Sequence, residues 1–195
     1  MTLAALILLG VSTAPALADS YDDGLMPPPP QKLPGIVGHD DRVPYDSTAW
    51  PWQAIGRVNQ PEAAGHCTGT LIRPDTVLTA AHCVFNQKTG QWLKPEDLVF
   101  VAGLRRDEDA GFARGKRIQR SAQGQPRPNL DTMAHDWAVI TLEHSLPVRP
   151  VQVATVPSLN PRDIALMHFE TAGYAQDRPY LLSLDDGCTI KSLAH

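Results

Sequence analysis

Aromatic residues, cysteine and charge are all sparse in this sequence of 195 residues. Aromatic side chains make up 6% and charged residues 19%, and there are 3 cysteines. The net charge of −4 argues against a nucleic-acid partner, because phosphate binding needs clustered lysine and arginine. The one basic run, Arg114–Arg120, follows an acidic run and is interpreted as a solvated hairpin.

The sequence also lacks an apolar run long enough to cross a bilayer as a helix. Leu3–Val11 is nearly continuously apolar but short, and Ala16–Ala18 has the small-x-small pattern of a cleavage site. We therefore predict a signal peptide over residues 1–18, although Met1 and Thr2 provide no basic start; a buried N-terminal helix is the alternative. The prediction implies a secreted or periplasmic protein that is not held in a membrane.

Long helical periods with start and stop signals are missing, as are repeats of a fixed period. Residues 19–35 contain four consecutive prolines and are expected to form an extended leader or propeptide. From residue 36 onward, short β-like runs alternate with turn residues, which predicts an all-β barrel or sandwich. A long surface loop is expected over Gln119–Asn129. The β-like runs are Ala54–Val58, Thr76–Ala80, Leu98–Ala102, Trp137–Leu142 and Val151–Val156.

Two His-Cys pairs, His66–Cys67 and His82–Cys83, allow two chemistries. Two cysteines and two histidines could bind zinc, or Cys67 and Cys83 could form a disulfide. In an exported protein the disulfide is favoured, because oxidation removes the thiolates that zinc needs. The sequence has no HExxH motif either, and we expect neither a metal nor a cofactor. Cys188 is then unpaired within this chain, as a free thiol or an intermolecular one.

His82 is the candidate general base among seven histidines. It follows the apolar stretch TVLTAA, adjoins the expected disulfide and is preceded by two small alanines, which leave room for a substrate. Imidazole titrates near neutrality, so it can take a hydroxyl proton and return it to a leaving group. That role requires a carboxylate to hold the ring, and the candidate is Asp136, at the start of the run Trp137–Leu142.

Two of these segments, LTAAHC (Leu78–Cys83) and DWAVITL (Asp136–Leu142), together resemble the trypsin-like serine protease superfamily. The likeness is closer to its bacterial V8-like, glutamyl-endopeptidase-like branch and covers roughly residues 36–188. The weaker supporting segments are Val37–Arg42, Trp50–Ile55, Cys67–Ile72, Gly173–Tyr174 and Cys188.

This resemblance implies a trypsin-like double β-barrel with the catalytic groups in the cleft between the barrels. His82 would be the general base, Asp136 its orienting partner, and the Cys67–Cys83 bridge would close the histidine loop. The implied activity is that of a secreted serine endopeptidase with protein or peptide substrates, acting as a monomer without nucleic acid or membrane.

The sequence departs from the family at the nucleophile, because it contains no GDSGG-like motif. The glycines of that motif let backbone N–H groups turn toward the developing oxyanion. We therefore expect a complete first barrel and a second barrel truncated before the catalytic serine, with the usual partner of Cys188 in the absent part. The 195 residues alone would be inactive. The serines after His82 are Ser121, Ser145, Ser158, Ser183 and Ser192, none of which follows Gly-Asp or precedes Gly.

Two functions of other classes stay open. The chain could be a non-catalytic secreted binding module on a protease-like scaffold, or the product of an inactive gene fragment. It could also be an exported metal-binding protein that uses the two His-Cys pairs.

Overall fold

The computed structural model describes residues 39–154 and 167–188, which consist of short strands joined by turns and single 3-10 turns. No helix within these ranges is long and apolar enough to span a membrane. The strands are β1 (Val43–Tyr45), β2 (Ile55–Gln60), β3 (Gly65–Arg73), β4 (Thr76–Thr79), β5 (Phe85–Asn86), β6 (Gln91–Trp92), β7 (Val99–Ala102), β8 (Gly111–Arg120), β9 (Ala138–Leu142), β10 (Phe169–Gly173) and β11 (Leu182–Cys188).

Six of the strands close into an antiparallel barrel in the order β2-β3-β4-β9-β8-β7. Buried residues alternate with more exposed ones along β2, β7 and β9, which is the period-2 pattern of a strand with one face in a core. Burying each large apolar side chain contributes about 1.5–3 kcal/mol. The largest side chains inside are Phe100, Leu71, Leu98, Ile140 and Leu142, each at most 2% exposed.

Gly56 on β2 has no room for a side chain. A Cβ at this position would lie 2.4 Å from the Phe100 ring and 2.5 Å from the Val101 carbonyl oxygen. Since the carbonyl belongs to the neighbouring strand, it cannot move without breaking the ladder. Glycine at this position therefore lets β2 and β7 approach closely enough for the Phe100 ring to fill the barrel.

A separate three-stranded sheet, in the order β1-β11-β10, packs beside the barrel. Tyr174, which follows β10 and is 5% exposed, joins the two parts. Its N–H donates to the Thr68 hydroxyl at 2.8 Å, and its own hydroxyl donates to the Leu104 carbonyl at 2.9 Å. The described residues thus form an all-β architecture with one complete barrel, as predicted.

The basic run Arg114–Arg120 forms the second strand of an antiparallel hairpin with β7, and five of its seven residues are exposed. It lies in β8, which pairs with β7 on one side and β9 on the other. An irregularity in the register between Gly115 and Arg117 leaves both Lys116 and Arg117 exposed. The charged side chains reach solvent in this way while Ala113 and Gly115 stay buried, so a strand can carry this sequence.

The predicted strand Val151–Val156 is not found over its described residues. Residues 151–154 belong to no strand, although the Val151 N–H donates to the Leu71 carbonyl at 2.8 Å. Pro150 has no N–H to contribute to a ladder, which limits pairing at this point. The predicted signal peptide, the leader and the start of the domain at residue 36 lie outside the described residues.

Candidate active site

His82 lies on a 3-10 turn, Ala81–Val84, that follows β4. Ala81, Cys83 and Val84 are at most 4% exposed, whereas the His82 side chain is 43% exposed. The Cys83 N–H donates to the Ala80 carbonyl at 3.2 Å and closes the turn. Burial of its apolar neighbours therefore anchors the turn and directs the imidazole outward.

Asp136 is brought to this turn by strand pairing. β4 and β9 are antiparallel neighbours in which Thr79 pairs with Ala138, so the end of β4 meets the start of β9. Asp136 comes two residues before β9, and its N–H donates to the Met133 carbonyl at 3.0 Å. The sequence separation of 54 residues between the two candidates is closed by this pairing.

The Asp136 carboxylate contacts His82 through both of its oxygens. Oδ1 accepts the His82 backbone N–H at 2.9 Å, and Oδ2 lies 2.7 Å from the His82 Nδ1. A carboxylate only accepts hydrogen bonds, so this contact places a proton on Nδ1 and leaves the Nε2 lone pair of the neutral ring free. The Asp136 side chain is 10% exposed, and its two contacts hold the His82 ring in one orientation and one tautomer.

A disulfide ties the histidine turn to the barrel. Cys67 on β3 is bonded to Cys83, with their Cα atoms 6.0 Å apart. This is the bridge that the sequence predicted. Cys67, His82 and Cys83 offer atoms within 4.8 Å of one another, but the two sulfurs are bonded together and supply no thiolate for a metal.

Gln60 supports the same turn and was not identified from the sequence. Its side chain is 8% exposed, and its Nε2 donates to the Cys83 carbonyl. A buried amide donor directed at a backbone carbonyl rigidifies the segment on which His82 lies. No sequence signal marked Gln60, because its target is 23 residues away.

None of the serines in the described residues is a hydrogen-bond partner of the His82 ring. The imidazole contacts Asp136 through Nδ1 and the Cys83 sulfur at 3.5 Å through Nε2, and no described serine hydroxyl hydrogen-bonds to it. Ser121 and Ser183 are 7% and 4% exposed. Ser158 and Ser192 lie outside the described residues.

Cys188, at the end of β11, has its sulfur 3.6 Å from the Thr171 hydroxyl. Since the other two of the three cysteines are bonded to each other, Cys188 has no disulfide partner within this chain.

Comparison with known proteins gives one consistent family. The trypsin family profile matches residues 36–178. Among curated proteins, glutamyl endopeptidase of Bacillus licheniformis is 36% identical over 64 residues, which are 32% of this chain and 20% of the relative. Human chymotrypsin-like elastase family member 3B is 38% identical over 69 residues, 35% of this chain and 24% of the relative. The matched segments thus span about a fifth to a quarter of these relatives.

A solved structure of Glu endopeptidase in complex with MPD has the same fold. It superimposes with a TM-score of 0.61 at 20% sequence identity and covers 81% of this chain and 72% of that one. The family profile includes all six strands of the barrel and both His82 and Asp136. The chain belongs to the trypsin family of serine proteases.

Proposed function

We propose that this chain supplies the general base and its orienting carboxylate to a secreted serine endopeptidase. His82 is the base, and Asp136 is the carboxylate. The observation that carries the proposal is the double contact of Asp136, one oxygen with the His82 N–H and the other with Nδ1. A carboxylate that holds both the backbone and the ring fixes the direction of Nε2.

In the proposed reaction, Nε2 of His82 takes the proton of a serine hydroxyl while the serine oxygen attacks the peptide carbonyl carbon. Asp136 stabilises the imidazolium that forms. The imidazolium then gives its proton to the leaving amine, and the C–N bond breaks to leave an acyl-enzyme. Water attacks the ester in the second half, with His82 again accepting and returning the proton.

The serine and the oxyanion hole are assigned to a Gly-Asp-Ser-Gly segment outside these 195 residues. This assignment is supported by the absence of such a motif from the sequence and by the contacts of His82, which include no described serine. The proposed substrates are proteins or peptides, without a cofactor. The Cys67–Cys83 disulfide supports export, because such bonds persist in oxidising compartments.

The first test is to read the native locus beyond the codon for His195. An open frame that continues into a Gly-Asp-Ser-Gly segment and a further cysteine supports the proposal. A reproducible stop with no such segment in any frame contradicts it and favours the non-catalytic binding module.

The second test measures the roles of the two residues in the protein that this locus encodes. We expect His82→Ala to lower kcat/KM on a peptide substrate by about a millionfold, and Asp136→Asn by about ten-thousandfold. His144→Ala and Asp131→Asn, two exposed residues of the same types, serve as matched controls and should leave activity unchanged.

The 195-residue chain itself provides a third test. It should not react with a fluorophosphonate probe, because the assigned nucleophile is outside it. Labelling of any serine in this chain would show that the nucleophile has been assigned wrongly.

The hydrogen bond of His82 Nδ1 with Asp136 should give a low-field proton NMR signal that Asp136→Asn removes.

A further inference from the structure

A tight turn after β8 lies against both of the segments that carry the candidate catalytic residues. It consists of residues Ser121–Gly124 and is here called the Gly124 turn. The Gly124 N–H closes it by donating to the Ser121 carbonyl at 3.1 Å, and the Gln123 N–H donates to the Ser121 hydroxyl at 3.2 Å. Serine at the first position and glycine at the fourth are both favoured in the commonest type of β-turn. The two end residues of the turn are buried, whereas the two central ones are exposed.

On the aspartate side, the Gly124 turn contacts the residues that flank Asp136. The Ser121 N–H donates to the Trp137 carbonyl at 3.1 Å. A Cβ added to Gly124 would lie 3.1 Å from the His135 carbonyl oxygen. Asp136 therefore lies between two residues whose backbone carbonyls are both against the Gly124 turn.

On the histidine side, the Gly124 turn contacts Ala81, the residue before His82. Ala81 is 0% exposed, and a Cβ added to Gly124 would lie 2.9 Å from its methyl carbon. Two carbon atoms in contact normally lie about 3.5–4.0 Å apart. Neither the Ala81 methyl group nor the His135 carbonyl can rotate away, because both are fixed to the backbone. Glycine at this position therefore leaves the space that lets the two segments approach the same point.

We propose that Gly124 is a positioning residue that sets the contact between His82 and Asp136. Its two neighbours each directly precede one member of this pair, so a displacement of either neighbour passes on through one peptide bond. A side chain on Gly124 would act as a wedge against both segments. The distance of 2.7 Å between Asp136 Oδ2 and His82 Nδ1 is that of a charge-assisted hydrogen bond, which weakens as the two atoms separate. This inference rests on the proposed function, because Gly124 acts on catalysis only through this pair.

The test observes the contact by NMR in the full 195-residue chain, where no nucleophile is needed. Gly124→Ala should shift the low-field signal of the His82 Nδ1 proton to higher field or remove it, because the added Cβ displaces at least one of the two segments. It should also shift the signal of the His82 backbone N–H, which donates to the other oxygen of Asp136. Unchanged signals in a folded Gly124→Ala variant overturn the proposal, since the Gly124 turn would then have moved aside alone.

Gly56→Ala is the matched control for a general loss of stability. A Cβ at this position is more crowded, at 2.4 Å from the Phe100 ring. In the strand order of the barrel, the pairing of β2 with β7 that contains Gly56 is opposite the pairing of β4 with β9 that brings His82 to Asp136. Gly56→Ala should therefore lower stability and leave both His82 signals in place. Equal shifts in this control would overturn the proposal, because destabilisation alone would then explain them.

The double variant Gly124→Ala, Ala81→Gly tests the contact itself, with Ala81→Gly alone as its reference. It removes the methyl group nearest to the added Cβ, so the two His82 signals should return to those of the reference. The same variant decides the case in which Gly124→Ala alone does not fold, because relief of the 2.9 Å contact should restore folding together with the signals. If the double variant recovers neither, the contact with Ala81 is not the limiting one and the proposal is wrong.

Activity of the protein that the native locus encodes separates this inference from the proposed function. Gly124→Ala should lower kcat about ten- to a hundredfold, the scale expected when a catalytic group is slightly misplaced, and should leave KM unchanged. Full activity of His82→Ala would refute the proposed function and leave the NMR result on Gly124 intact. Unchanged kcat in Gly124→Ala, with His82→Ala inactive, would refute the positioning role alone.

Discussion

Removing the Cys67–Cys83 disulfide perturbs the candidate site directly and leaves the side chains of His82 and Asp136 in place. The bridge closes a loop with a sequence separation of 16. The chain-entropy relation for a loop of this size gives a stabilisation of about 3 kcal/mol. Cys83 is 4% exposed, and losing its buried sulfur contacts adds about 1 kcal/mol. We therefore expect the double variant Cys67→Ala, Cys83→Ala to lose about 3–4 kcal/mol of unfolding free energy.

The assay is urea unfolding of the full chain, followed by tryptophan fluorescence, in the double variant and the unaltered protein. Reducing the disulfide in the unaltered protein should reproduce most of the loss of unfolding free energy. The control variant Cys188→Ala replaces a cysteine that is in no disulfide and should change the unfolding free energy little. A loss below about 1 kcal/mol would refute the reasoning. It would mean that the hydrogen bonds from Gln60 and to Asp136 hold the histidine turn without help from the disulfide.

Three further predictions concern the surroundings of the site. Tyr174→Phe should cost about 1 kcal/mol of unfolding free energy, because burial raises the pKa of this hydroxyl and its neutral O–H donates to the Leu104 carbonyl. Gly56→Ala should cost about 1–3 kcal/mol in the same urea assay, because the added Cβ meets the Phe100 ring. The lowered pKa of His66 means that the unfolded chain binds more protons than the folded one just below pH 6.5. Stability should therefore fall as pH falls from 6.5 to the folded pKa, and His66→Gln should flatten that part of the profile.

Each of these predictions has a matched control. Tyr180→Phe alters a tyrosine that is 59% exposed and should change stability by less than about 0.5 kcal/mol. At Gly187 an added Cβ makes only ordinary contact, at 3.5 Å, so Gly187→Ala should be tolerated. His39, whose side chain is 87% exposed, should keep the pH profile unchanged when replaced by glutamine. Equal effects in a variant and its control would contradict the structural reason given for that pair.

The sequence alone was sufficient for the all-β class, most barrel strands and the two candidate residues. Alternation of apolar and polar residues depends on local exposure, so it located the regions of β2, β4, β7 and β9 to within one or two residues at most of their ends. His82 and Asp136 were identified because short motifs surround them. The disulfide was predicted because an exported protein favours an oxidised pair of cysteines over a zinc site.

Tertiary structure decided which distant residues meet. Pairing of β4 with β9 places Asp136 against His82, and the register of β2 with β3 places Asn59 opposite His66. The same is true of β8: its charged run indicated a hairpin, which forms with β7, but the pairing of β9 along the other side of the strand was not predicted. The physical reason is that periodicity records only whether a residue faces a core. Strand order and register, in contrast, are set by packing of Phe100, Leu71 and the other barrel side chains across the whole chain.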